Sequence, residues 1–251
     1  MNPGILRLSH VALRASDVER SVAFYRDVLG FAEASRLRYG DGALMLVNMR
    51  VSETQWIELF DASRLPPGGD PIHQIAFAVE DGERLREFFR ARGKDVPDRC
   101  PKGQMGNAYL IVRDPNGYDL EFVHYLPEAW PLRDPAGHLP PGRISHRIAD
   151  IGLVLRDPGA AENFYRNELG LVESAEGTWS LAHGEMLLRP TRSPHAPPRF
   201  ALEVENLEAA ITRIEAAGGA IRNRSSASAE IADPEGITVA LVARVARASG
   251  R

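Results

Sequence analysis

The chain repeats its own sequence, and this repeat constrains the fold more than any other feature. Residues 21–31 read SVAFYRDVLGF and residues 161–171 read AENFYRNELGL, so a Phe-Tyr-Arg triplet, a leucine and a glycine recur. A second echo places Asp-Pro-Asn-Gly at 114–117 against Asp-Pro-Glu-Gly at 233–236. The 251 residues are enough for two domains that each bury a core. The sequence therefore predicts two similar domains, the second shorter than the first.

The predicted boundary lies in a proline-rich stretch between the two copies. Residues 126–143 contain five prolines and little hydrophobic periodicity, which is typical of a linker. We predict a first domain over residues 1–130, a linker over 131–144 and a second domain over 145–251.

Within each copy, strand and helix patterns alternate twice in the same order. The first copy has a strand at 6–14, a helix from Asp17 to Gly30, and strands at 31–38, 43–49 and 54–61. The order restarts with a strand at 72–79, a helix at 82–93, and strands near 95–99, 107–113 and 118–125. The second copy repeats it from strand 147–155 with helix 158–169, and from strand 199–205 with helix 207–217. This pattern predicts an α+β fold of paired β-α-β-β-β modules, each sheet covered by helices on one face only.

Composition restricts the function classes. A net charge of −4 and an isoelectric point near 6.0 give no general affinity for nucleic acid or anionic membranes. The single cysteine, Cys100, excludes an internal disulfide framework and a thiolate zinc cluster. The N-terminal sequence has no signal-peptide pattern, and no apolar run approaches the roughly 18 residues of a membrane span. We therefore expect a cytoplasmic protein.

Four titratable residues lie inside otherwise apolar strands of the first copy: His10, Glu58, His73 and Glu121. Strand side chains alternate between two faces of the sheet. Leu120 lies on the face that suits packing on a helix, and Glu121 therefore lies on the other face. A carboxylate on such a surface is unfavourable unless something compensates its charge. Imidazoles and carboxylates together suit iron, manganese, nickel, cobalt or zinc. Each residue also has an ordinary interpretation, a hydrogen-bonded histidine or a solvated glutamate.

Three stretches of the first copy together resemble the vicinal oxygen chelate superfamily. They read HVALRASDVERSVAFYRDVLGF, IHQIAFAV and DPNGYDLEF. This superfamily includes glyoxalase I, methylmalonyl-CoA epimerase, fosfomycin-resistance enzymes, bleomycin-binding proteins and extradiol dioxygenases. The resemblance implies two domains of paired β-α-β-β-β modules, each forming a curved, cupped mixed sheet. It is specific for the superfamily and poorly specific for any one reaction.

The resemblance also implies a metal site in the N-terminal domain. His10 matches the ligand of the first strand, His73 the ligand that opens the second module, and Glu121 the carboxylate that closes the site. Glu58 matches an extra carboxylate found in glyoxalase I. We therefore predict one divalent metal ion on these four residues, with Glu58 and Glu121 as candidate catalytic bases.

The second copy departs from this pattern. The repeat spacing puts Asp150 at the position of His10 and Ala240 at that of Glu121. Aligning ALEVEN with AFAVED puts Pro198 at the position of His73. Proline and alanine side chains cannot bind a metal, so we expect a degenerate site and a structural or substrate-covering role.

Two chemistries follow from the resemblance. In glyoxalase-like and epimerase-like members a carboxylate removes a proton α to a carbonyl, whereas extradiol dioxygenases hold Fe(II) on two histidines and one carboxylate. The segment GNAYLIVRDPNGYDLE lacks the histidine of the extradiol signature and has Ile111 in place of its tyrosine. With Glu58, this favours isomerase or lyase chemistry on a small vicinal-oxygen substrate. A dioxygenase and a metal-free binding or resistance protein stay open as alternatives, and so does a homodimer.

Overall fold

A computed structural model describes residues 2–134, 137, 139–175 and 177–244 of the chain. Residues 135, 136 and 138 of the predicted linker, and residues 245–251 of the predicted second domain, lie outside this part. Among the described residues, no helix is long and apolar enough to cross a membrane. The cytoplasmic location stays a prediction.

The first half of the chain forms a mixed sheet of seven strands. They are β1 (Ile5–Ala15), β2 (Ala32–Arg38), β3 (Leu44–Arg50), β4 (Trp56–Asp61), β5 (Ile72–Val79), β6 (Asn107–Arg113) and β7 (Asp119–Tyr125). Helix α1 (Val18–Ala23) continues as π-helical turns over Phe24–Val28, and α2 (Gly82–Arg90) follows β5. The strand order is β2-β3-β4-β1-β5-β7-β6, so the opening strands of the two modules, β1 and β5, pair antiparallel at the centre.

The second half repeats this arrangement in a sheet of eight strands. They are β8 (Arg147–Val154), β9 (Val172–Glu173), β10 (Trp179–Ser180), β11 (Met186–Thr191), β12 (Arg199–Val204), β13 (Asn223–Arg224), β14 (Ser228–Ala232) and β15 (Thr238–Ala243). Helix α3 (Trp130–Arg133) precedes β8, α4 (Pro158–Glu162) continues as π-helical turns over Asn163–Glu168, and α5 (Leu207–Ala216) follows β12. The order β13-β14-β15-β12-β8-β11-β10-β9 again pairs the two opening strands, β8 and β12. The predicted α+β fold of two related domains is confirmed.

The module helices begin at the same kind of cap. The side chains of Asp17, Asp81, Asp157 and Asn206 each accept a hydrogen bond of 3.0–3.1 Å from the backbone N–H three residues later. These contacts satisfy one of the free donors at each helix start. After α1 the chain turns at Gly30, whose φ of 76° is readily adopted only by glycine.

The predicted strand near 95–99 is wrong. Residues 91–106, all of them described, contain a single isolated bridge, between Lys102 and Ala108. Pro97 has no N–H to donate to a strand ladder, and its carbonyl accepts hydrogen bonds from Arg86 and Arg90 of α2 instead. The second module is therefore β-α-β-β.

The core lies between the helices and one face of each sheet. Leu120 and Phe122 of β7 are fully buried there, as their alternation predicts, and Phe122 packs against Phe89 of α2. Phe89 also stacks on Phe164, which follows α4, so the cores of the two halves are continuous. The opposite face of each sheet borders a cavity, and we call it the open face; the residues discussed below lie there.

The repeated sequence motifs meet across the boundary between the halves. Tyr25 donates a hydrogen bond of 3.0 Å from its hydroxyl to Oδ2 of Asp233, and Tyr165 donates one of 2.9 Å to Oδ2 of Asp114. All four residues are buried. Each Phe-Tyr-Arg triplet of one half is therefore bound to the Asp-Pro turn of the other.

Candidate metal centre

Three of the four predicted ligands meet on the open face of the first sheet. His10 Nε2 lies 2.9 Å from Glu121 Oε2 and 3.5 Å from Glu58 Oε2. One ligand atom from each residue lies within 4.8 Å of the other two, a spacing at which all three could bind one ion. His10 and Glu58 are buried, and Glu121 is half-buried.

Strand register explains why these residues converge. His10 of β1 lies opposite Ala76 of β5, and Ala76 lies opposite Glu121 of β7, so the three form one row across the sheet. The methyl side chain of Ala76 is too short to separate the other two. Glu58 of β4 lies opposite Ala12, in the next row on the same face.

A β-bulge in β1 places the Ser9 hydroxyl beside the ring of His10, at the nitrogen that faces away from the glutamates. The pairing with β5 skips Ser9, and the Ser9 hydroxyl lies 3.3 Å from His10 Nδ1 and 2.7 Å from the Tyr125 hydroxyl. A partner at Nδ1 orients the ring so that Nε2 points at the two glutamates. Sequence reasoning missed Ser9 and Tyr125 in this role, because the bulge breaks the alternation from which strand faces are assigned.

The cluster holds two carboxylates and one imidazole, and the pKa values of its members are shifted accordingly. Burial, together with the nearby Glu121 and against the opposing influence of His10, raises the pKa of Glu58 to about 7. Burial alone would lower the pKa of His10, but the Glu58 and Glu121 carboxylates outweigh it and the pKa is raised. Two carboxylates thus share one imidazole, and a divalent cation would supply the charge that they lack. The donor set fits such an ion.

The structure does not bring His73 into this cluster. The pairing of β1 with β5 runs from Ala12–Gln74 to Leu13–Ile72, which makes His73 an extra residue in its strand. Its ring packs edge-on against Phe60, with 5.0 Å between ring centroids. Burial and the nearby Arg14 lower the pKa of His73.

A cavity of about 320 Å³ opens onto the cluster. His10, Glu58 and the Gln74 amide contribute to its lining. The Trp56 ring stacks on His10 with 5.8 Å between centroids. The remaining lining mixes aromatic, apolar and polar side chains, including Phe60, Tyr109, Tyr125, Met105, Gln104 and Lys102. Such a volume and lining suit a small molecule.

The second sheet has none of these ligands at the equivalent positions. Asp150, Ala201 and Ala240 lie opposite one another in one row, as His10, Ala76 and Glu121 do in the first sheet. This register agrees with the positions that the repeat spacing assigns to Asp150 and Ala240. In the part of the chain that the structure describes, only the first sheet brings together three such ligands.

Comparison with known proteins identifies the family. The model of the Glyoxalase/Bleomycin resistance protein/Dioxygenase superfamily matches residues 7–122. A lactoylglutathione lyase of Neisseria meningitidis serogroup A is 30% identical over 125 residues, which cover 47% of this chain and 90% of that protein. A manganese-dependent 2,3-dihydroxybiphenyl 1,2-dioxygenase of Geobacillus genomosp. 3 is 30% identical over 128 residues, 49% of this chain and 38% of that protein. The chain belongs to this superfamily, as its motifs predict.

Solved structures share the fold over both halves. The 2,3-dioxygenase LapB from Pseudomonas sp. KL28 superposes with a TM-score of 0.71 at 17% identity, covering 96% of this chain and 93% of that chain. A Mn(II)-bound glyoxalase from Novosphingobium aromaticivorans superposes with a TM-score of 0.68 at 15% identity, covering 96% of this chain and 82% of that chain. At these identities the likeness establishes the two-domain fold alone.

Proposed function

We propose that this protein is a metal-dependent isomerase or lyase that transfers a proton on a small substrate with two neighbouring oxygen atoms. His10, Glu58 and Glu121 hold one divalent metal ion. The observation that carries the proposal is the convergence of one imidazole and two carboxylates, of which His10 and Glu58 line a cavity of about 320 Å³. Relatives named as lyases and as manganese-dependent enzymes support it.

The chain's own residues supply the proton transfer. When bound, the metal ion provides Lewis-acid stabilisation of negative charge that develops on the substrate oxygens. Glu58 is the better suited base, because its carboxylate lines the cavity beside His10, where a substrate would bind, whereas Glu121 is not among the lining residues. Its carboxylate takes the proton of a carbon that bears a hydroxyl beside a carbonyl and returns it to the carbonyl carbon, while the hydroxyl proton passes to the former carbonyl oxygen. The two neighbouring oxygens thereby exchange their carbonyl and hydroxyl roles, and no oxidant is consumed. Trp56, Phe60, Tyr109 and Tyr125 form the aromatic part of the cavity lining around this base.

The number of imidazoles favours proton transfer over oxygenation. The iron site typical of such oxygenases uses two histidines and one carboxylate. Here the cluster has one histidine and two carboxylates, because His73 packs against Phe60 instead. The dioxygenase alternative rests on the named relative and would need His73 to move.

Metal analysis of matched variants tests the proposal. We expect about one equivalent of metal in the wild type and a large loss in His10→Ala and Glu121→Gln, measured by elemental analysis after anaerobic purification. His73→Ala is the matched control and should keep its metal.

Two outcomes would redirect the assignment. Full metal content in His10→Ala and Glu121→Gln, or no metal in the wild type after reconstitution, would contradict the metal site and favour a binding protein. Metal loss in His73→Ala, together with oxygen uptake on catechols, would favour the dioxygenase. Aldehyde and thioester substrates are the first to screen for the proposed activity.

A further inference from the structure

The open face of the second sheet carries two arginines where the first carries polar residues of the metal centre. Arg189 of β11 lies opposite Gly152, the position that Glu58 takes opposite Ala12 in the first sheet. Arg199 of β12 lies two residues before Ala201, as Gln74 lies two residues before Ala76. The equivalent surface has therefore changed from negative to positive.

Asp150 holds the two guanidinium groups side by side. Its carboxylate oxygens lie 3.2 Å from Arg189 Nη2 and 2.7 Å from Arg199 Nη1. The Asp150 side chain is 1% exposed, whereas those of Arg189 and Arg199 are 35% and 20% exposed. Because one carboxylate balances one guanidinium, the pair keeps a net positive charge that a ligand can reach.

Both arginines line a cavity of about 1250 Å³. Five prolines contribute to its lining, and we call them the proline wall: Pro158, Pro190, Pro194, Pro197 and Pro198. The other charged residues of the lining are Arg156, Arg192, Asp70 and Glu230. Arg192 pairs with Glu162 at 2.9 Å, and Arg156 donates to the Asn116 carbonyl at 2.8 Å.

We propose that this cavity binds a small organic anion, with Arg189 and Arg199 holding its carboxylate or phosphate group. The forked N–H groups of arginine match both oxyanions in bidentate geometry. The proline wall suits the carbon skeleton of such a ligand, and its rigidity limits the entropy lost on binding. This cavity shares no lining residue with the cavity at the metal centre. The anion-binding proposal therefore does not depend on the proposed enzyme activity.

Titration calorimetry with benzoate and with phenyl phosphate tests the site and separates the two anion classes. Benzyl alcohol serves as the uncharged probe of the same ring size. We expect at least one anion to bind the wild type and the alcohol to bind at least tenfold more weakly. Equal affinity for the alcohol, or no anion binding at millimolar concentrations, would overturn the proposal.

Charge variants locate the binding. Arg189→Gln should weaken anion binding at least tenfold, and Asp150→Asn should tighten it because the competing carboxylate is gone. Arg166→Gln is the matched control, since Arg166 pairs with Glu173 outside the cavity lining and its substitution removes the same charge.

Equal affinities of Arg189→Gln and Arg166→Gln would overturn the proposal. If Arg189→Gln does not fold, unchanged or weaker binding by Asp150→Asn decides against it. Metal content should stay unchanged in all three variants.

Discussion

At the scale of single residues, burial gives Glu58 its chemical character. Its side chain is nearly inaccessible, and it shares His10 with a second carboxylate. A carboxyl in such a position holds its proton to higher pH than one in water. Glu58 therefore lowers the stability of the folded protein when it is ionised without a metal.

This cost predicts how the stability of metal-free protein changes with pH. The folded-state pKa of about 7 exceeds the usual 4.5, so the folded protein binds a proton that the unfolded chain releases. The stabilisation is complete below about 4.5 and is lost as pH rises through about 7. The raised pKa of His10 acts in the same direction. Between pH 4.5 and 8, Glu58→Gln should lose less free energy of unfolding than wild type, by on the order of 1–3 kcal/mol.

Denaturant unfolding in the presence of a chelator measures this difference. Glu53→Gln, at an exposed position, is the control and should follow the wild type. Parallel pH profiles for wild type and Glu58→Gln would show that Glu58 ionises in the folded protein as it does in water.

At the scale of elements, the sequence predicts most strands but not the two bulges, at Ser9 in β1 and at His73 in β5. Alternation and turn residues predicted strands 72–79 and 107–113 with their observed bounds, and they placed Glu121 on the open face. His10, Glu58 and Glu121 could be chosen because each is a polar residue on an apolar strand. The position of His73 could not be predicted, since its extra place in β5 depends on pairing with a strand sixty residues away.

The bulge at Ser9 makes a prediction about metal affinity. Ser9→Ala removes the hydroxyl beside His10 Nδ1 while leaving all three proposed ligands in place. We expect the metal dissociation constant to rise about tenfold, because the imidazole loses the group that orients it. Competition with a chromophoric chelator measures this change, with the exposed Ser193→Ala as control. Wild-type affinity in Ser9→Ala would show that packing alone orients His10.

At the scale of the whole molecule, the open faces of the two related sheets carry side chains of opposite charge. The first gathers two carboxylates around a histidine, and the second gathers two arginines around an aspartate. The sheets and their register are alike, so the difference lies in a few side chains on the open faces. Sequence comparison of the two copies predicted the lost ligands, but the arginine pair became visible only through strand register.

The reciprocal tyrosine contacts predict how strongly the halves depend on each other. Tyr25→Phe and Tyr165→Phe each leave a buried carboxylate with one donor fewer. We expect each to lower the free energy of unfolding by about 1–3 kcal/mol. Thermal and denaturant unfolding measure the loss. Tyr39→Phe is the control, because the Tyr39 ring contacts the Arg64 guanidinium and its hydroxyl takes no part in the contact between the halves. A loss no greater than that of the control would show that these hydrogen bonds add nothing to stability.

The crossed hydrogen bonds have a consequence for the connection between the halves. Tyr25 and Asp114 belong to one half, and their partners Asp233 and Tyr165 belong to the other. Each buried carboxylate accepts hydrogen bonds from its own turn and one more from the tyrosine of the other half, so only the two halves together give both carboxylates their full set of donors. Cutting the peptide chain between them after folding should therefore leave two fragments that stay assembled, as the two subunits of a dimer do.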